Sequence, residues 1–114
     1  MSNPSENNTQ SQASPLHSTM SDDPDMIELV EFFVQEMDSR VQAINDAAQA
    51  NDLTQLCTFA HQLKGSATGY GFAPISETAA TLEQLLQAAD PTEQADQFRE
   101  QIDELIDLCR RASM

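Results

Sequence analysis

The chain has 114 residues, room for one domain built around one hydrophobic core. Hydrophobic residues make up 39%, but with one Tyr and no Trp the core must be filled by Leu, Ile, Val, Ala, Phe and Met, which suits packed helices. Nineteen acidic residues against five basic ones give a net charge of −14, a field that repels nucleic-acid phosphates and anionic lipid headgroups and argues against both as partners. No stretch approaches the roughly 20 apolar residues that cross a bilayer, and the N-terminus lacks the basic start and apolar centre of a signal peptide, so a cytoplasmic location is expected. Cys57 and Cys109 are far apart and lack the spacing of a zinc or redox motif, and the expectation is two reduced thiols.

Residues 1–21 are rich in Ser, Asn, Gln and Thr, contain Pro4 and Pro15, and offer little to bury, so a disordered tail is expected ahead of a domain over 22–114. His17 in that tail has no companion ligands and is assigned no role. Asp22, Asp23 and Pro24 then supply an acidic cap and a first-turn proline. Ile27, Val30, Phe33, Val34, Met37, Val41 and Ile44 recur at three- and four-residue steps, predicting one helix that reaches about Ala50. Asn51 and Asp52 interrupt it, and Asp52 can cap a second helix carrying Leu53, Leu56, Ala60, Leu63 and Ala67 and ending near Gly69 and Gly71. Pro74 opens a third helix whose Ile75, Ala79, Leu82, Leu86 and Ala89 share a face and which stops before Pro91. The run Asp90-Pro91-Thr92-Glu93 predicts the start of a fourth helix, lined by Phe98, Ile102, Leu105, Ile106 and Cys109 and closed by Arg110 and Arg111. The expected architecture is an all-α, antiparallel up-down four-helix bundle with short loops, present as a monomer.

On a helical wheel the apolar residues of the second helix gather on one side, and His61 projects opposite or nearly opposite them, toward water. Thr54, Thr58, Gly65 and Thr68 share that outward side and leave the imidazole unobstructed. By position alone this is compatible with an ordinary surface histidine. Lys64 and Gly65, three and four residues on, lie beside it on the same helix. A phosphorylated imidazole carries negative charge, which an ammonium at that position can stabilise without trapping. Glycine inside a helix costs about 0.5–1 kcal/mol relative to alanine. Access to the histidine is the favoured reason, because Gly65 projects to its side, over close helix packing or an early helix end leading to Gly69 and Gly71.

The run Ala60-His61-Gln62-Leu63-Lys64-Gly65-Ser66-Ala67 resembles the signature of the histidine-containing phosphotransfer (HPt) domains of multistep two-component signalling. A looser likeness runs through Gly71-Phe72 and the third helix, at Ile75, Leu82, Glu83 and Leu86, so that the resemblance spans about residues 25–111. It implies that His61 accepts a phosphoryl group from a receiver-domain aspartate and passes it to another receiver, with Lys64 as charge support and Gly65 as the access position. It also implies response-regulator receivers, and a hybrid sensor histidine kinase, as partners. Receivers would dock on an apolar and polar patch beside His61, for which Thr54, Thr58 and Thr68 are the candidates, with Tyr70 and Phe72 next to them.

Such a carrier needs no intrinsic cofactor. An imidazole with an ordinary pKa of about 6.5 offers a neutral nitrogen nucleophile near neutral pH. The metal, Mg²⁺, is expected on the partner receiver. The pair Gly69-Tyr70-Gly71 is too short for a nucleotide-binding loop, and no Ser or Cys is paired with a base, so neither ATP binding nor an independent hydrolase is expected. Glu77 and Glu83 are expected to be solvated or partner-facing. The competing reading is a helical protein-interaction module in which His61 is incidental.

Overall fold

Two chain reversals are built on the same device, a helix ended by a residue with left-handed backbone whose successor reaches back to a free carbonyl. Asn51 (φ 56°) lets the Asp52 N–H donate to Ala47 O at 2.8 Å, and Gly71 (φ 85°) lets the Phe72 N–H donate to Ala67 O at 2.9 Å. In the computed structural model, which describes residues 14–90 and 92–114, these reversals separate the helices α1 (Ile27–Gln35) and α2 (Met37–Gln49) from α3 (Leu53–Gly69), and α3 from α4 (Ala73–Gln87). A 3₁₀ turn, Ala95–Phe98, then leads into α5 (Arg99–Arg111). The protein is a helical bundle, and α3 has its most extensive packing against α4.

The core follows the predicted stripes. Val30, Phe33, Met37, Val41 and Ile44 meet Leu56, Ala60, Leu63 and Ala67 of α3, Ile75, Ala79, Leu82 and Leu86 of α4, and Phe98, Ile102, Leu105, Ile106 and Cys109 at the C-terminal side. Each large aliphatic or aromatic side chain removed from water contributes about 1.5–3 kcal/mol. Phe72, fully buried, closes one end of the core by stacking on Phe33 with centroids 5.3 Å apart, and Tyr70 lies 5.2 Å from the same ring. Burial pushes the Cys109 thiol up to about 12, so it stays a neutral core group. No described helix is long and apolar enough to cross a membrane.

Four expectations are corrected. The first helix carries one break in its regular pattern, at Glu36, whose backbone stays right-handed helical. It also begins later than Pro24, because Asp23 first forms a turn, accepting the Asp25 N–H on its side chain and the Met26 and Ile27 N–H groups on its carbonyl. Ile27, at that fraying start, is exposed rather than buried. The fourth helix likewise begins beyond Asp90. Asp90 and Glu93 bond reciprocally within a turn, whose Thr92 N–H and hydroxyl hold the Asp90 carboxyl below its ordinary range. Helical structure starts only after a second capping box, between Gln94 and Gln97.

The fourth correction concerns the expected disordered tail. Residues 1–13 lie outside the described residues, but 14–21 form a strap across the end of the bundle. Leu16–His17 (β1) pairs in parallel with Ala112–Ser113 (β2), and the Arg111 side chain donates to Ser14 O at 2.8 Å. Ser18 is buried, its hydroxyl donating to Tyr70 O at 2.6 Å and accepting from the Met20 N–H, while the Thr19 N–H donates to Gly71 O. Composition missed this because the strap is held largely by hydrogen bonds, with Leu16 and Met20 as its apolar contacts to the core.

Gly71 meets both constraints at once: its φ is left-handed, and a Cβ there would stand 2.6 Å from Ser18 Oγ and 2.8 Å from the backbone nitrogens of Thr19 and Met20. Gly71→Ala is expected to lose at least the roughly 1–2 kcal/mol of the backbone strain and to detach the strap. Urea denaturation reads the first effect, and increased amide exchange at Thr19 the second. A variant as stable as the parent would show that the strap is not packed on this corner.

Candidate functional site

Asp52 starts α3 by accepting the Gln55 N–H on its side chain at 3.0 Å, and the helix then runs 17 residues to the Gly71 corner. With Leu56, Ala60, Leu63 and Ala67 committed to the core, His61 has to point outward, and 67% of its side chain is exposed. Thr54, Thr58, Gly65 and Thr68 are exposed on the same helix. Two of the hydroxyls are engaged: Thr58 donates to Thr54 O at 3.1 Å and Thr68 to Ser76 Oγ at 2.6 Å. Among the described residues a Cβ at Gly65 would meet nothing within 4 Å, so packing between helices does not require this glycine. On the flank toward α2, Gln62 accepts a hydrogen bond from Arg40 at 3.0 Å, and the Ser66 hydroxyl donates to Gln62 O.

The residue that organises the site is Glu83 of α4. Its carboxylate contacts His61 Nδ1 through Oε2 at 2.8 Å and Lys64 Nζ through Oε1 at 2.6 Å, although only 8% of its side chain is exposed. The expectation of a solvated or partner-facing Glu83 is therefore wrong. Its position in the sequence carried the signal: Ser76, Ala79, Glu83 and Leu86 follow at helical steps, all buried, so the acid interrupts an inward stripe. A carboxylate there needs a cation within reach.

Glu83 is held below the ordinary glutamate range, first by the Lys64 hydrogen bond and next, against the opposing effect of burial, by that of His61. An ionised carboxylate only accepts hydrogen bonds, so Nδ1 is the donor in this contact and Nε2 is the nitrogen left outside it. The tautomer is thus assigned by Glu83. One turn before His61, Cys57 is half-buried and its thiol is pushed up, by burial first and then by the Glu83 charge, which makes it a poor competing nucleophile.

Residues 28–112 match the Hpt domain family, and the chain belongs to it. Comparison with curated proteins and with solved structures gave no match. Hpt domains are phosphoryl carriers of phosphorelays rather than enzymes with a turnover of their own, and they work with receiver domains and kinases. Membership thus places the chain in histidine phosphotransfer.

The depressed Glu83 has a consequence for stability. Its contribution is complete above the unfolded-chain value of about 4.3 and drains away as the pH falls through the lower folded value. The stability margin of the parent over Glu83→Gln should therefore be present at about pH 7 and shrink at about pH 3, as read by urea denaturation at the two pH values. A margin independent of pH would mean that the ionised bridge does not form.

Proposed function

We propose that the protein is the histidine carrier of a phosphorelay, with His61 as its phosphoryl acceptor. The observation that carries this reading is an imidazole two-thirds exposed yet fixed through Nδ1 by a buried carboxylate, which leaves Nε2 as the nucleophile. The order of contacts between neighbouring helices also favours the antiparallel up-down bundle. Phe33 with Tyr70 is followed by Arg40 with Gln62, and Lys64 and Thr68 with Ser76 are preceded by His61 with Glu83.

In the transfer, the Nε2 lone pair attacks the phosphorus of a receiver's aspartyl phosphate. The new N–P bond forms as the P–O bond breaks, and the aspartate leaves as a carboxylate. No proton has to move, because Nδ1 keeps its own and the positive charge that develops on the ring faces Glu83. Transfer onward is the same step reversed, onto the aspartate of a second receiver, where the Mg²⁺ expected on the receiver would supply charge neutralisation. Lys64, 40% exposed, sits at the edge of the site and can turn from Glu83 toward those oxygens. Gly65 keeps the surface one turn beyond His61 low enough for a receiver to approach, with Thr54, Thr58 and Thr68 along the docking face.

Incubation with a phosphorylated receiver should label the protein with an acid-labile, base-stable phosphoryl group that is absent in His61→Gln. Lys64→Ala should slow transfer roughly tenfold, the weight of one charge-assisted hydrogen bond, and should also lower stability, because it leaves the buried Glu83 carboxylate without its ammonium. Gly65→Gln should block docking sterically. A chain that takes up no label from any receiver would leave an interaction module, and normal transfer by Gly65→Gln would remove the role given to that glycine.

A further inference from the structure

The buried polar side chains among the described residues are Ser18, Ser76 and Glu83. Ser18 belongs to the strap and Glu83 to the site, whereas Ser76 takes no part in the transfer step. Its hydroxyl donates to the backbone carbonyl of Lys64 at 2.7 Å and accepts from the Thr68 hydroxyl at 2.6 Å. Both partners belong to the turn of α3 that contains Gly65. That turn is the weak point of the helix, since a glycine in a helix interior adds backbone freedom. Among the described residues nothing fills the space a Cβ would take there.

Ser76 and Glu83 lie seven residues apart, two turns along one face of α4. Lys64 is consequently tied to α4 at both ends, by its carbonyl to Ser76 and by its ammonium to Glu83. We propose that Ser76 is a positioning residue that braces the glycine-weakened turn after His61, so that Lys64 stays within reach of Glu83 and of a phosphoryl group on the imidazole. Its effect on transfer rests on His61 being the carrier, whereas its effect on the helix does not. Ser76 itself touches no reacting atom.

The test uses the full chain carrying Ser76→Ala, in the parent and in the Lys64→Ala background. Amide exchange across Gly65–Thr68 should accelerate roughly tenfold, the weight of one lost buried hydrogen bond. Transfer from a phosphorylated receiver should slow several-fold in the parent background and no further once Lys64 is alanine, because residues acting through one another are not additive. Unchanged exchange would overturn the proposal, as would losses that multiply across the two backgrounds and so mark Ser76 as ordinary packing. Should Ser76→Ala fail to fold, Thr68→Val removes the outer link of the same chain without opening the core. Faster exchange over the same amides is expected of it, and unchanged exchange would count against the brace. Exchange needs no receiver, so a parent chain that takes up no label sinks the carrier reading while exchange still decides the brace.

Discussion

A carboxylate taken out of water must find its counter-charges close by, and Glu83 finds both on the helix opposite. That requirement fixes more than one ion pair. It sets the rotation of α3 against α4, because only one register brings His61 and Lys64, three residues apart, to the same carboxylate. It also sorts the imidazole nitrogens into one that is held and one that is available. The packed faces on either side, with Ala60 and Leu63 from one helix and Ala79 and Leu86 from the other, belong to the core while the imidazole remains in solvent.

The bridge also governs the local charge. Five basic residues serve a chain with nineteen acidic ones, and Lys64 spends its charge on a buried acid rather than on the surface. Arg40, on the neighbouring helix, is turned toward Glu36 and Gln62. The ammonium and carboxylate therefore cancel beside the imidazole. A partner approaches a nearly neutral patch on an acidic molecule, which favours contact by shape over attraction from a distance.

The helices and their inner faces were legible because three- and four-residue steps of apolar side chains translate directly into burial, and the caps at Asp52 and Pro74 did what those residue types do. His61 was legible through the same geometry, as the residue left outside once the stripe was assigned. Glu83 was misread because an acid is taken to be solvated unless its partner is known, and that partner lies nineteen positions earlier on another helix. Ser76 was silent for the same reason, since a serine declares its bonding only when the opposite carbonyl is in place. The late start of α5 reflects two capping signals in succession, at Asp90–Glu93 and Gln94–Gln97, of which the chain uses the second to begin its helical turns. The strap was missed because burial arguments reward apolar area, whereas Ser18 and Thr19 are held by backbone carbonyls.

The strap has a consequence for how the molecule is assembled. Ser14 and Arg111 are 97 residues apart in the sequence, and joining them closes a loop around nearly the whole chain. Loop closure on that scale costs entropy that a few hydrogen bonds offset only when their acceptors are already in place. Helices, whose bonds are local, nucleate and dock first, and contacts of such long range come last. The seal over Gly71 is then a marker of completed folding: a chain whose α3–α4 corner is misformed has no carbonyls positioned to receive it.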